Sequence, residues 1–239
     1  FKDHVDNPSQ NPLSAGVKRF LAGGALLGLP ASAQALKSSL FGGSTPNLSI
    51  GGRHGAPGGT GMDQMIYDFV SDAYEPAINL LTGFAYLSAV IFMLVGIVRL
   101  TKTAQEGPRG PAGLGTIITF LVSGALFSFG SMLAAFSSSL FGDATVDTYV
   151  TISSQVISNQ ADAEKIASVI EAVMAFIMIV GFIAFIRGWF VLKSFADGSQ
   201  SATLAQALTF LFGGALAINL GELVNVLQAS LNISGITFG

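Results

Sequence analysis

Long stretches without a charged residue constrain this chain more than any other feature of its sequence. No Asp, Glu, Lys or Arg occurs within residues 76–98, 110–142 or 198–221. Each stretch is longer than the roughly 20 residues that a helix needs to cross a bilayer. The sequence therefore predicts three transmembrane helices in these places.

Two further segments are predicted to lie in or across the membrane. Residues 166–190 contain only two charged residues, Glu171 and Arg187, near the ends, where long side chains reach the lipid headgroups. Residues 16–41 carry three basic residues and have Pro30 near the centre, so this segment either spans with a kink or lies in the interface. We expect an all-α, polytopic membrane protein with about five spans.

Composition excludes several classes of function. Hydrophobic residues make up 51% of the chain and charged residues only 10%, whereas an ordinary soluble domain carries about 25% charge. The net charge of -3 does not suit a nucleic-acid surface, so we expect no sequence-specific binding of DNA or RNA. The chain has no cysteine, two isolated histidines and no paired carboxylates or phosphate loop. We expect no enzyme, no catalytic residue, no metal and no cofactor.

An internal repeat organises the chain. The strings RFLAGGALLGL, TFLVSGALFSF and TFLFGGALAIN begin at residues 19, 119 and 209. Each belongs to a unit with a span, a short polar hairpin and a second span rich in small residues, which predicts tandem transmembrane helical hairpins. The first unit begins inside its hairpin at Phe1, so we expect a further span upstream of it.

The repeat predicts how the chain is divided. Residues 1–42 form the second half of a first hairpin, and residues 43–61 form a Gly-rich linker. Residues 62–142 form the second hairpin with an amphipathic lead-in helix, and residues 143–165 form a periplasmic loop. Residues 166–239 form the third hairpin.

Basic residues predict the orientation. Eight of the 11 lie near the hairpins: Lys2, Lys18, Arg19, Arg99, Lys102, Arg109, Arg187 and Lys193. The other three, Lys37, Arg53 and Lys165, lie nearer the opposite side. Because basic residues accumulate on the cytoplasmic side, we expect a multi-pass protein with cytoplasmic hairpins and a C-terminus on the periplasmic or exterior side.

Small residues recur about one helical turn apart in the second span of each unit. They are Gly24, Gly28, Gly124, Ser128, Gly213, Gly214, Ala217 and Gly221. This spacing lets helix backbones approach closely in lipid. The contact lies either within the chain or between subunits, and Val122 is expected to face lipid instead.

Three polar residues stand together near the end of the last span. Asn219, Glu222 and Asn225 are three residues apart, which would place them on one broad helix face. Polar groups at this depth must meet protein or water. They are predicted to form either a structural patch at the periplasmic mouth or the lining of a water-filled path.

Two parts of the chain resemble a known group of membrane proteins. Residues 1–43, with FKDHVDNPSQNP and a span that ends in LFGG, resemble the IcmD/DotP proteins of Dot/Icm type IVB secretion. The strings IAFIRGWFVLKSFADG and FGGALAINLGELVNVLQ, from residues 183–198 and 212–228, resemble the IcmC/DotE group and its TraQ-like conjugation relatives. Those proteins are separate short chains, whereas this chain resembles both in tandem.

The resemblance implies a non-enzymatic, integral subunit of a type IVB secretion or conjugation apparatus in the bacterial inner membrane, with a periplasmic C-terminus. Such a subunit contributes to an oligomeric platform or conduit for protein or protein–DNA transfer. Its partners are membrane lipid and other subunits of the apparatus, in a homo- or hetero-oligomer. A tandem pilin-like subunit, a small transporter and a membrane-bound regulator remain as alternatives.

Overall fold

The computed structural model describes residues 24, 62–106, 114–142, 150–153, 156–232 and 235–238. Within these ranges the chain is mostly helical, and Gly24 is also helical. The elements in chain order are α1 (Met62–Glu106), α2 (Leu114–Phe127), α3 (Phe129–Phe141), β1 (Val150–Ile152), α4 (Gln160–Ala196), α5 (Leu204–Ile218), α6 (Leu220–Leu231) and β2 (Ile236–Phe238).

Two helices of the described residues are long and apolar enough to cross a membrane. They are Tyr67–Lys102, within α1, and α4. The pairs α2–α3 and α5–α6 reach that length only as pairs, because they bend by 88° and 79° at their breaks. Four of the five predicted spans fall in the described residues, which contain two to four candidate spans, and segment 16–41 lies outside them except for Gly24.

Helix α4 begins earlier than the sequence predicts. Asn159 accepts a hydrogen bond from the backbone N–H of Ala161 at 3.2 Å, and its amide donates to the Asp162 carboxylate at 2.8 Å. This cap satisfies an N–H group at the start of the helix, which therefore begins at Gln160. The predicted loop 143–165 is wrong in its last six residues, which belong to α4.

A short antiparallel sheet accompanies the helices. Strands β1 and β2 pair with Val150 opposite Phe238 and Ile152 opposite Ile236. The sequence did not predict this sheet, because strands of three residues leave no recognisable alternation. Among the described residues the regular structure is therefore all helical apart from six strand residues.

The chain divides into two compact units that cut across the repeats. The first includes Gly83–Phe129 and Gly188–Leu208, and the second includes Gly130–Arg187 and Thr209–Gly239. Each unit takes segments from both of the repeats that the structure describes. The predicted boundaries at residues 142 and 166 do not coincide with those of the units.

The first unit is held together by contacts from α1 to the helices that follow it. The hydroxyl of Ser123 donates to the backbone carbonyl of Ala89 at 2.8 Å, and both residues are buried. Phe190 stacks on Phe84 with ring centroids 5.9 Å apart and meets the edge of Phe92 at 5.1 Å. These contacts join α1 to α2 and to the last turns of α4.

The second unit has its own aromatic core. The ring of Phe136 in α3 meets the edges of Phe185 and Phe212, with centroids 5.3 and 5.6 Å away. Phe185 is fully buried, and Tyr74 donates its hydroxyl to the sulfur of Met178. Side chains of α3, α4 and α5 thus share one core. Helices that are far apart in sequence pack together in this way because each must bury its apolar face against another helix.

Candidate functional site

Both broken helices are built in the same way. The residue at each break, Ser128 or Asn219, donates its backbone N–H to the carbonyl four residues earlier. The side chain donates to the same carbonyl at 2.8 Å in both cases, on Gly124 and on Ala215. This second bond competes with the regular helix ladder and favours a bend. Repeats two and three therefore share a broken second helix.

Asn219 also joins the break in repeat three to α3. Its amide oxygen accepts a hydrogen bond from the Ser137 hydroxyl at 2.7 Å. Both side chains are buried, at 3% and 0% exposure. A buried polar pair that is satisfied in this way fixes the position of the break.

Gly214 lies at the closest helix contact among the predicted small residues. A Cβ atom on Gly214 would come within 2.6 Å of the Phe185 backbone nitrogen and 2.8 Å of the Gly181 carbonyl oxygen. The reciprocal approach is as tight, since a Cβ on Gly181 would lie 2.9 Å from the Gly214 carbonyl oxygen. The backbones of α4 and α5 meet here at a distance that only glycine permits.

Three of the other predicted packing glycines have no such contact. A Cβ on Gly24, Gly124 or Gly213 would meet no heavy atom within 4 Å, so these three do not serve close packing with the described residues. Ser128 is exposed, Ala217 is half-buried, Gly221 is buried, and Gly28 lies outside the described residues. Val122 is fully buried, so the expectation that it faces lipid is wrong.

The three residues of the predicted polar patch separate into two places. Asn219 lies at the helix break, and α6 begins only at Leu220. The break interrupts the helical spacing that would place all three residues on one face. Glu222 and Asn225 remain together, because the Asn225 amide donates to the Glu222 carboxylate at 3.1 Å. The prediction of one continuous patch is therefore wrong for Asn219.

Asn225 holds the C-terminal strand to α6. Its amide nitrogen donates to the Phe238 carbonyl at 2.5 Å, and its amide oxygen accepts the Phe238 backbone N–H at 3.0 Å. A side-chain amide thus pairs with Phe238 as a neighbouring strand would. Glu222 supports this arrangement by accepting from the same amide group.

Glu171 holds the other strand of the sheet. Its carboxylate accepts the backbone N–H of Val150 at 2.9 Å, and the side chain is only 1% exposed. The prediction that Glu171 reaches the headgroups is therefore wrong. The carboxylate is instead buried beneath β1, so that Glu171 and Asn225 hold the two outer edges of one sheet.

The predicted hairpin charges meet at one acidic residue in the first unit. Asp197 accepts hydrogen bonds from Arg99 at 2.5 Å and from Lys193 at 2.6 Å. Partial burial raises the pKa of Asp197, but the hydrogen bonds from Arg99 and Lys193 outweigh it and hold that pKa below its ordinary value. Arg99 also donates to the Thr119 hydroxyl at 3.4 Å. The ends of α1 and α4 are thereby joined.

The remaining predicted hairpin charges have other surroundings. Arg187 is exposed and lies over the ring of Phe210, with 4.8 Å between the guanidinium carbon and the ring centroid. Lys193 lies 5.1 Å from the centroid of Phe92, and Lys102 is exposed. Lys2 and Arg109 are outside the described residues.

The comparisons with known proteins gave no relative. No family model, no curated protein and no solved structure matches the chain. Among the described residues, no group of three His, Cys, Asp or Glu side chains is placed to hold a metal ion. The main features of the described residues are close helix contacts, two broken helices and a strand pair that is held by the side chains of Glu171 and Asn225.

Proposed function

We propose that the chain is a non-enzymatic, integral membrane subunit of a type IVB secretion or conjugation apparatus. It contributes to an oligomeric platform or conduit for protein or protein–DNA transfer, in contact with lipid and with other subunits. The resemblance of the strings at residues 183–198 and 212–228 to the IcmC/DotE group suggests this role.

One observation carries the proposal of an assembled subunit. Gly124 presents an open surface on α2, and the exposed side chains of Leu121 and Ile117 lie three and seven residues before it on the same side of the helix. Exposed glycine beside apolar side chains allows a second membrane helix to approach closely. The open face of α2 is thus suited to contact another subunit.

The proposed role predicts different effects for two Leu substitutions. Deleting the chain from its native cells should reduce transfer of a reporter cargo to background, and the wild-type chain should restore it. Gly124→Leu should accumulate normally but form smaller complexes on native gels and fail to restore transfer, because Leu separates the approaching helices. Phe176→Leu, at an exposed apolar position on α4, should restore both.

Two results would contradict this role. Normal transfer after deletion would exclude a necessary part in secretion or conjugation. Equal complexes and equal transfer with Gly124→Leu and Phe176→Leu would exclude α2 as the assembly face, because the open glycine would then be ordinary lipid-facing surface.

The broken helices favour one alternative, a small transporter. Repeated segments with discontinuous helices are found in secondary transporters, where the breaks lie near the substrate site. The breaks at Ser128 and Asn219 occur at nearly equivalent positions of two repeats. A transporter predicts solute flux in liposomes that contain the purified protein alone, whereas a subunit of an apparatus predicts none.

The proposed topology can be tested at two exposed residues. The chain has no cysteine, so Ser199→Cys and Thr237→Cys each create a single labelling site. With cytoplasmic hairpins, an impermeant thiol reagent should label Thr237→Cys in whole cells and leave Ser199→Cys unlabelled. A permeant reagent should label both, and the reverse pattern would overturn the orientation.

A further inference from the structure

An open groove runs along α1 near the end of its candidate span. It has a volume of about 430 Å³ and is lined by Leu94, Val95, Val98, Arg99 and Lys102. All five residues belong to the last turns of the candidate span Tyr67–Lys102. The groove therefore lies on the surface of α1, at the end of its candidate span.

The chemistry of the groove changes along its length. Leu94, Val98 and Lys102 follow one another at intervals of four residues and so lie on one side of the helix. Leu94 and Val98 are exposed apolar side chains, and Lys102 is exposed at the end of the candidate span. An apolar surface is thus followed by an ammonium group at the end of the span. This arrangement matches an acidic amphiphile, which has an apolar tail and an anionic headgroup.

Positive charge predominates at this end of the first unit. The described side chains here include the cations Arg99, Lys102 and Lys193, and the Asp197 carboxylate accepts from two of them. Lys102 takes no part in these ion pairs and is exposed, and an exposed ammonium group attracts anions. Basic groups at the end of a span attract anionic lipid headgroups in the same way.

We propose that this groove binds an anionic phospholipid. An acyl chain lies along Leu94 and Val98, and the phosphate is held at Lys102. The occupant is a lipid because the groove lies along a candidate span. The exposed surface of a membrane-spanning helix is surrounded by lipid. The site depends on the chain spanning a membrane, and it does not depend on the proposed role in secretion.

The test measures lipid binding to the full chain by native mass spectrometry in a neutral detergent. Phosphatidylglycerol should bind more tightly than phosphatidylcholine with the same acyl chains. Lys102→Gln should weaken phosphatidylglycerol binding about five-fold and leave phosphatidylcholine unchanged, as expected for the loss of one lysine near the headgroup. Lys165→Gln makes the same charge change at an exposed lysine of α4 and should have no effect.

A second variant and a soluble competitor test the apolar part of the site. Val98→Trp should fill the groove and weaken binding of phosphatidylglycerol, whereas glycerol phosphate, which has no acyl chain, should compete poorly. Equal binding of the two lipids, or equal effects of Lys102→Gln and Lys165→Gln, would overturn the site. Efficient competition by glycerol phosphate would show a phosphate site and overturn the lipid. If Val98→Trp does not accumulate, Lys102→Gln still decides.

Discussion

Gly214→Ala is expected to destabilise the protein strongly, because the added methyl group would lie 2.6 Å from a backbone nitrogen and 2.8 Å from a backbone oxygen. Backbone atoms of two packed helices cannot move aside as a flexible side chain does. We expect a loss of about 2 kcal/mol or more, at the upper end of the usual cost of overpacking. Thermal unfolding of the purified protein in detergent measures the effect.

The neighbouring glycine supplies a matched control. Gly213 lies in the same helix, and a Cβ there meets no heavy atom within 4 Å. Gly213→Ala should leave the melting temperature unchanged or raise it, because Ala is the better helix former by up to about 1 kcal/mol. If the two variants have the same melting temperature, the close contact between α4 and α5 is wrong.

Asn225→Asp is expected to release the C-terminal strand. The substitution keeps the size of the side chain but removes the donor to the Phe238 carbonyl, and it places a second carboxylate beside Glu222. Each hydrogen bond left unmade at a partly buried group costs about 1 to 3 kcal/mol. Hydrogen exchange should show lost protection of the peptide that contains residues 236–238.

The control for this variant makes the same change of charge about one helical turn further along α6. Gln228→Glu also converts an amide to an acid on α6, but no hydrogen bond joins its side chain to β2 among those described. Protection of residues 236–238 should persist in Gln228→Glu. Equal loss in both variants would mean that added negative charge, rather than the Asn225 amide, controls the strand.

The sequence predicts the helices better than it predicts which side of each helix is buried. Long apolar runs suffice to place α1 and α4, since apolar length alone carries that information. Helices α2 and α5 are apolar nearly all round, so no polar face fixes their rotation. The repeat accordingly suggested Gly124 as the counterpart of Gly214, yet only Gly214 packs against a backbone.

The side-chain contacts that hold the two-stranded sheet could not be predicted from the sequence, for a different reason. Glu171 is joined to a strand that lies 21 residues earlier in the chain, through a backbone N–H that has no sequence signature. Asn225 pairs with Phe238 by the same kind of backbone contact. Only the cap at Asn159 had a recognisable local signal, namely an Asn three residues before an Asp at a helix start.

The helix breaks have a consequence for how the chain enters its membrane. Helices α2 and α3 contain 14 and 13 residues, or about 21 and 20 Å, whereas a bilayer core is about 30 Å thick. Neither half is long enough to be retained by an insertion machinery as a separate segment. Each broken pair reaches the length of a span only when its two halves are inserted as one piece. Within such a piece, the Ser128 hydroxyl and the Asn219 amide each donate to a backbone carbonyl of their own helix, so that these polar side chains have a partner where water is absent.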